Sequence, residues 1–277
     1  MKVYKLEFKT PLCSGGVLEE VIEFPGSDTI FSAVATTIAE TEGEKELIEF
    51  CESNPRFSST FPFFKEKLFI PKPVGLEFLV ELRDVEEIKK IKDLRWIEKN
   101  LIEKIDKDKI IKFAEKFNEN EIFVEKEIAR CSKNRINEST NLFMERVFLF
   151  SKDAGLYFFY KGEKDLKDLL KILGKIGIGG KKSIGFGKFK VSCEKRRDLF
   201  DGELFVLISK CFPKENEIEK ILYYKIEERS GWSKNGRKRK IRVLKEGSIL
   251  KEKIDGRMLK EYGIYRNYLA TVYPIRW

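Results

Sequence analysis

The sequence predicts an α+β fold built from two domains that pack together. The alternation of apolar and polar residues over 2–9 is typical of a half-buried strand. Leucines at helical spacing in 164–173 indicate an amphipathic helix, and aromatic-rich stretches on its N-terminal side are typical of strands. A length of 277 residues, with 42% hydrophobic and 13% aromatic residues, suffices for two cores of moderate size.

The first seventy residues predict a strand followed by two helices and an aromatic loop. Ser27 and Asp28 are good N-cap residues, and the helix after them carries one apolar face made of Ile30, Phe31, Val34 and Ile38. A second helix is predicted around 44–51. The stretch 56–73 is aromatic and punctuated by prolines, which favours a loop with short edge strands.

The middle of the chain predicts surface helices, then a hairpin. Residues 79–128 are rich in Lys and Glu, with apolar residues at helical spacing, and predict two or three amphipathic helices that we interpret as an insertion. Aromatic runs at 142–150 and 156–162 flank the turn SKDAG and predict a hairpin. A helix at 164–173 and a strand at 186–193 complete a ferredoxin-like order, which leaves one sheet face open as in RNA-recognition domains.

The last third of the chain predicts strands with one short helical stretch near 214–219. The strand-like runs read GELFVLISKCF, ILYYKIEERSGW, RKRKIRVLKEG and YLATVYPIRW. We therefore expect a degenerate ferredoxin-like domain over 198–277 that packs against a ferredoxin-like domain over 1–197, whose insertion lies around 79–130. A glycine-rich loop precedes the last strand of the first domain.

Composition narrows the classes of function. Five cysteines are scattered without ligand spacing, so neither a disulfide framework nor a zinc site is expected. The chain has no histidine, which excludes His-based triads and disfavours catalysis, although Lys, Tyr or paired carboxylates could still act. We expect no metal and no cofactor. The N-terminus lacks a signal-peptide pattern, so a cytoplasmic protein is expected, and the Lys/Glu bias is typical of thermophile proteins.

Positive charge is concentrated in two short stretches. Residues 175–197 and 225–245 each carry a net charge of +7, while the rest of the chain carries −5. Such a distribution is typical of a polyanion site and favours nucleic acid as partner. The alternative is two solvated basic loops, which is the common fate of a charge run.

The glycine-rich stretch GKIGIGGKKSIGFGKF (174–189) overlaps the first basic stretch. Neither the Walker A pattern nor the dinucleotide pattern fits any register, and the glycines follow a helix and enter a strand, the reverse of a nucleotide loop. Successive N–H groups in such a loop can form an anion nest, to which lysines add charge. We predict a clamp for an RNA backbone made of Gly177, Gly179, Gly180, Lys181, Lys182, Ser183, Gly185 and Gly187. The alternative is a helix C-cap followed by a flexible turn.

A glycine-rich loop between the last helix and last strand of a ferredoxin-like domain is the hallmark of the RAMP superfamily of CRISPR proteins, and this chain resembles that superfamily. It is similar in particular to the subunit of type III-A (Csm) effector complexes that holds the 5′ handle of the guide RNA. The stretches that carry the resemblance, in order, are SDTIFSAVA (27–35), SSTFPFF and LFIPKP (58–73), KNRINEST (133–140), GLYF (155–158), GIGGKKSIGFGKF (177–189), RSGW (229–232) and EGSIL (246–250).

The resemblance implies a non-catalytic subunit with two fused ferredoxin-like domains. Its implied partners are guide RNA at the 5′ handle, the backbone RAMP subunit whose filament it caps, and the large polymerase-like signalling subunit, with no membrane. It also implies a protruding hairpin, or thumb, from the 79–130 insertion, although the helical pattern there leaves its place open. The stretch GIYRNYLATVYPI lacks the histidine expected before its tyrosine, so no role is assigned to it.

Six further positions complete the predicted RNA site. Ser14, Gly15 and Gly16 follow the first strand on the side of the glycine-rich loop, although they could equally form an ordinary turn. If the resemblance holds, Arg135 reaches the RNA backbone; a surface ion pair is the alternative. Arg229 and Trp232 combine a cation with a flat ring suited to stacking an unpaired base, although a tryptophan is more commonly buried in a core.

Two other functions stay open. A RAMP endoribonuclease that processes precursor CRISPR RNA is the enzymatic alternative, but such enzymes usually rely on histidine, and their glycine-rich loop typically lies nearer the C-terminus. A general RNA chaperone outside any complex is the third possibility.

Overall fold

The structure, a computed structural model, describes residues 1–13, 24–133, 140–195, 202–233, 236–261 and 263–276. Seven α-helices occur in these ranges: α1 (Ser27–Thr41), α2 (Glu44–Glu52), α3 (Leu76–Leu79), α4 (Val85–Asp93), α5 (Lys99–Glu103), α6 (Lys107–Lys116) and α7 (Lys167–Ile176). The strands of the first two thirds are β1 (Lys2–Phe8), β2 (Arg56–Phe57), β3 (Phe61–Phe64), β4 (Lys67–Pro71), β5 (Trp96–Glu98), β6 (Phe123–Lys133), β7 (Thr140–Phe150), β8 (Ala154–Lys161) and β9 (Phe189–Lys195).

The last third is made of short strands. They are β10 (Leu204–Leu207), β11 (Ile221–Tyr223), β12 (Ile226–Arg229), β13 (Trp232–Ser233), β14 (Gly236–Arg237), β15 (Ile241–Leu244), β16 (Ile249–Leu250), β17 (Gly256–Glu261), β18 (Ile264–Leu269) and β19 (Val272–Ile275). In the described residues after 202 the only helical segment is the 3-10 helix Glu215–Lys220, close to the short helical stretch predicted there.

The main sheet has the strand order β5-β4-β3-β8-β1-β9, and β2 pairs with one end of β8. The strand β8 lies in the middle because its sequence AGLYFFYK is apolar at nearly every position, and its first seven residues are buried. Alternate residues point to opposite faces, so Tyr4 and Phe158 belong to one core and Val3 and Phe159 to the other. The protein is thus a mixed α/β structure with several sheets.

One face of the main sheet is covered by α1 and α7, as the periodicity of their apolar residues predicts. Ile30, Phe31 and Val34 of α1 and Leu169 and Leu173 of α7 pack onto the core that contains Tyr4. The helix α1 begins at Ser27 with Gly26 as N-cap, so the predicted N-cap role of Ser27 is wrong. The Ser27 hydroxyl instead accepts a hydrogen bond from the Lys210 backbone N–H at 2.9 Å.

The predicted open face of this sheet is wrong. Its second face packs against helices from the 79–116 region and against the second sheet, whose strand order is β11-β16-β10-β19. The apolar residues that cover it include Ile91, Ile102, Ile110, Val206, Ile249 and Tyr273. A nearly continuous apolar strand such as β8 is the usual sign of burial on both faces.

The predicted hairpin of 142–150 with 156–162 is also wrong. Strand β7 pairs along its whole length with β6, from Phe123↔Phe150 to Lys133↔Thr140, while β8 joins the main sheet. Residues 123–128 were expected to be helical but form the start of β6, because pairing with β7 overrides the local spacing of apolar residues. The helices predicted from residue 79 onwards are present as α4, α5 and α6.

The two halves of the chain share one apolar cluster, and the predicted boundary at 197/198 lies outside the described residues. Within the ranges that the structure describes, no helix is both long and apolar enough to cross a membrane.

Candidate nucleic-acid interface

The glycine-rich loop has a defined fold that reverses the chain between α7 and β9. Gly177 ends α7, donating its N–H to the Leu173 carbonyl at 2.7 Å, with a φ of 101°. The chain then folds back, and the Ile178 N–H donates to the Gly187 carbonyl at 3.0 Å. A single turn of 3-10 helix, Lys182–Ile184, forms the tip, so Lys182 and Ser183 are exposed at the most accessible part of the loop.

Three glycines of the loop, Gly177, Gly179 and Gly187, are required by close packing. A Cβ at Gly177 would lie 2.4 Å from the Phe186 carbonyl oxygen. A Cβ at Gly187 would lie 1.9 Å from the Ile178 carbonyl oxygen, and one at Gly179 would lie 2.5 Å from the Cys13 carbonyl oxygen. Gly185 differs, because its φ is 90° but nothing lies within 4 Å of a Cβ built there. The loop therefore needs glycine at 177, 179 and 187 for close packing, while the backbone at Gly185 is open to approach by a ligand.

The loop is fastened to the segment that follows β1. Gly187 donates its N–H to the Pro11 carbonyl at 2.8 Å, and Gly180 donates to the Cys13 carbonyl at 2.7 Å. The Lys188 N–H donates to the Thr10 hydroxyl at 2.9 Å. Ser14, Gly15 and Gly16 lie outside the described residues. The chain that enters them lies against the loop, and their role in binding stays a prediction.

The loop also contacts the β6–β7 hairpin through a buried carboxylate. Glu145 on β7 lies between the Arg130 Nε on β6, at 2.7 Å, and the Lys181 Nζ, at 3.1 Å. The Arg130 guanidinium lies 5.0 Å from the centre of the Phe186 ring, and the Lys181 Nζ lies 5.6 Å from that of Phe143. The position of Lys181 is therefore fixed by two elements, although its side chain is 46% exposed.

Arg130 and Glu145 were missed by sequence reasoning. Arg130 lay at the edge of a region assigned to helices, and Glu145 was one acid within an aromatic strand. They come together only when β6 pairs with β7, so only the correct strand partner of β7 would have revealed the contact.

The loop and strand β9 form a cationic surface. Four lysines here are exposed and have no carboxylate within 4 Å among the described residues: Lys175, Lys182, Lys188 and Lys190. Lys181 differs because Glu145 partly neutralises it. Exposed lysines around an open glycine backbone are suited to successive phosphates of an extended strand.

The structure describes some of the remaining predicted site residues and not others. Arg135 lies outside the described residues. The backbone of Trp232 pairs with Arg237 in the short β13–β14 ladder. Arg229 is 27% exposed, and its guanidinium makes a bidentate pair with Asp28 at 2.8 and 3.0 Å. The pKa of Arg229 is raised because the attraction of Asp28 and Glu227 outweighs burial. Base stacking by Arg229 and Trp232 stays a prediction.

A buried charged cluster lies next to Arg229 and joins the two halves. The ammonium of Lys210 is 2% exposed and contacts Glu227 at 2.5 Å and Glu246 at 2.7 Å. The Ser59 hydroxyl donates to Glu246 and also accepts a hydrogen bond from the Ser27 N–H at 2.9 Å. Burial raises the pKa of Glu227, and the attraction of Lys210 opposes that rise. The cluster fixes the start of α1 against the second half.

Comparison with known proteins identifies relatives along the whole chain. The family described as the CRISPR Csm4 C-terminal domain matches residues 201–274. A protein named "CRISPR system Cms protein Csm4" from Thermococcus onnurineus (strain NA1) is 25% identical over 259 residues, which cover 87% of each chain.

Solved structures share the fold. A chain of the Csm3-Csm4 subcomplex in the type III-A CRISPR-Cas interference complex superposes with a TM-score of 0.70 at 19% identity, covering 99% of both chains. A chain of the Csm1-Csm4 cassette in complex with cA4 gives a TM-score of 0.67 at 19% identity, covering 99% of this chain and 97% of that one. The order of the sequence motifs, the family match and these likenesses agree: the chain is a Csm4-like type III-A RAMP protein.

Proposed function

We propose that this chain is a non-catalytic, RNA-binding subunit of a type III-A CRISPR effector complex. In that role it grips the 5′ handle of the guide RNA, caps the filament of backbone RAMP subunits and docks the large signalling subunit. The compared structures pair Csm4 with Csm3 in one case and with Csm1 in the other, which supports both protein partners.

The observation that carries the RNA-binding role is the anchored glycine-rich loop. Its tip presents Lys182 and Ser183 to solvent, Lys188 lies just before β9, and β9 adds Lys190. The loop is held on two sides, by residues 10–13 and by Glu145 of the hairpin, so its amides are positioned before a ligand arrives. A binding surface of this kind recognises phosphates and sugars without reading bases.

Two finer structural assignments belong to the same proposal. We assign a ferredoxin-like domain to the first half, since β3, β8, β1 and β9 lie side by side in that fold's order and α1 and α7 cover one face. We also assign the thumb to the β6–β7 hairpin, which follows the helices of the 79–116 region and whose outer part is exposed.

The RNA-binding role is tested by the salt dependence of binding to handle-containing RNA. Replacing Lys182 by Ala should lower the slope of log affinity against log salt by about one unit, because one phosphate contact is lost. Lys181→Ala should have a smaller effect, because Glu145 already partly neutralises that cation. Lys251→Ala, an exposed lysine outside this surface, is the matched control. An unchanged slope in Lys182→Ala would remove the loop from the RNA site.

The non-catalytic role is tested with purified protein and repeat RNA. We expect the RNA to remain intact, because the chain has no histidine and no alternative acid–base pair lies in the loop. Metal-independent cleavage at a fixed position would contradict the proposal and favour the processing endoribonuclease. Co-expression with Csm1-type and Csm3-type subunits should yield a complex that contains a 5′-tagged RNA, whereas a stable monomer with no tag preference would favour an RNA chaperone.

A further inference from the structure

A second basic site lies away from the glycine-rich loop, at the junction of the two halves. A cavity of about 360 Å³ is lined there by Phe24, by residues of the 59–61 and 71–74 segments, by the end of α4 and start of β5, and by the base of the β12–β15 hairpin. Its volume falls within the range of about 300–1,000 Å³ that is usual for small-molecule sites.

The cations of this cavity come from both halves. Lys225 and Lys245 are the two ends of the second basic stretch, and the pairing of β12 with β15 brings them together, the Lys245 N–H donating to the Lys225 carbonyl at 2.8 Å. Lys72 and Lys92 also line the cavity. The Lys72 ammonium donates to the Ile91 and Lys92 carbonyls at the end of α4, at 3.1 Å in both cases.

The acidic groups around the cavity leave much of this charge uncompensated. Glu246 is engaged by Lys210, and Arg95 pairs with Glu119 at 3.2 Å. Asp93 is the other carboxylate of the lining. Among the described residues, Lys72, Lys92 and Lys225 have no carboxylate within 4 Å. Burial lowers the pKa of Lys72. The negative charges of Glu77 and Asp93 oppose this change, whereas the positive charges of Lys225 and Lys92 lower the pKa further. An anion would relieve this repulsion.

Aromatic rings form another part of the wall. Trp96 stacks on Phe24, with ring centres 5.6 Å apart and planes inclined by 19°, and meets Phe61 edge-on at 6.2 Å. The Trp96 indole N–H is buried and has no hydrogen-bond partner in the part of the chain that the structure describes. The cavity thus combines unpaired cations with flat apolar surface and a buried donor.

We propose that this cavity binds a nucleotide, with its phosphate among Lys72, Lys92 and Lys225 and its base against the aromatic wall. We choose a nucleotide, rather than another anion that carries an aromatic ring, because of the RNA-binding function proposed above. The nucleotide comes either from a free nucleoside phosphate or from one unit of a bound RNA chain, and these sources share the same recognition chemistry.

The test uses the full chain with AMP, inorganic phosphate and a handle-containing RNA, each titrated by calorimetry. Lys225→Ala and Lys92→Ala should each weaken AMP binding about tenfold, the loss expected for a charge-assisted contact. Lys112→Ala, on the exposed side of α6, is the matched control and should leave the affinity unchanged. Thermal melts confirm that each variant is folded.

The outcomes separate the sources and the two proposals. Binding of AMP that weakens in Lys225→Ala supports a free nucleotide, and weakening of RNA binding alone supports a unit of the chain. Equal affinity for phosphate and AMP, or no effect of either variant on any probe, overturns the proposal. Lys182→Ala separates it from the function of the loop, since that variant should weaken RNA binding without changing AMP binding.

Discussion

At the residue scale, Glu145 determines how the lysines of the glycine-rich loop differ. This acid contacts Arg130 of the hairpin and Lys181 of the loop, while adjacent Lys182 has no carboxylate partner among the described residues. A cation that compensates a buried carboxylate has less charge to offer a phosphate. Neighbouring lysines in the sequence therefore have different tasks: Lys181 holds the loop in place, and Lys182 is the better candidate for ligand contact.

Gly187→Ala should destabilise the protein more than Gly185→Ala. Both residues have a left-handed backbone, with φ of 71° and 90°, which costs an alanine about 1–2 kcal/mol. Only at Gly187 would the added Cβ also overlap a backbone atom, the Ile178 carbonyl oxygen at 1.9 Å. Urea unfolding of the two variants measures the difference in the free energy of unfolding. Equal losses would show that the loop does not pack as described.

At the element scale, Asp165 connects β1 to the start of α7. Its Oδ1 accepts a hydrogen bond from the Tyr4 hydroxyl at 2.9 Å and contacts the Lys2 Nζ at 3.1 Å. The Lys167 N–H donates to the same oxygen at 3.3 Å. Hydrogen bonds from Lys2 and Tyr4 hold the pKa of Asp165 below its usual value.

Asp165→Asn should therefore reduce the acid sensitivity of the fold. A carboxyl with a lowered pKa in the folded state contributes stability above its unfolded pKa of about 3.9, and that stability is lost as the pH falls below it. The variant should be less stable than the parent at neutral pH and should lose less on acidification from pH ~5 to pH ~3. Urea midpoints across this range measure the effect, with Asp168→Asn as control. Parallel pH profiles for parent and variant would rule out the link.

Elements that are defined by the spacing of their own apolar residues were predicted well, and those that depend on the choice of a strand partner were not. The strand β1 and the helices α1 and α7 follow directly from the spacing of their apolar residues. The partner of β7 could not be predicted from the sequence. The short turn after β7 favours pairing of β7 with β8 and carries no information about β6. The candidate site divides in the same way: the glycines and lysines of the loop are visible in the sequence, whereas Arg130 and Glu145 depend on that pairing.

At the scale of the whole molecule, the two halves are joined by charge as well as by apolar contact. Lys210 of the second half is buried between Glu227 and Glu246, and Arg229 holds Asp28 at the start of α1. Sequence reasoning assigned Arg229 to RNA because it combines a cation with the flat ring of nearby Trp232, and that role stays a prediction. Arg229 pairs with Asp28 at the junction of the halves, and Lys225 and Lys245, the ends of the basic stretch 225–245, line the cavity.

Lys210→Met should strongly destabilise the whole protein. Removing one partner of a buried ion pair leaves the other charge unpaired, which costs about 3–5 kcal/mol. Adding Glu227→Gln and Glu246→Gln should recover part of that loss. Guanidinium unfolding measures the free energy of unfolding of each variant. Lys164→Met is the control: it removes a half-buried ion pair with Glu42 and should cost no more than about 1 kcal/mol. A loss of that smaller size in Lys210→Met would mean that Lys210 does not act as the buried partner of Glu227 and Glu246.

The burial of both faces of the main sheet affects how the chain folds during its synthesis. During synthesis every strand of that sheet, through Lys195, leaves the ribosome before Val206, Ile249 and Tyr273, which cover its second face. Until Tyr273 is made, Phe159, whose ring centre lies 6.1 Å from that of Tyr273, lacks part of its cover. We therefore expect the nascent first half to expose apolar surface until the second half has been synthesised.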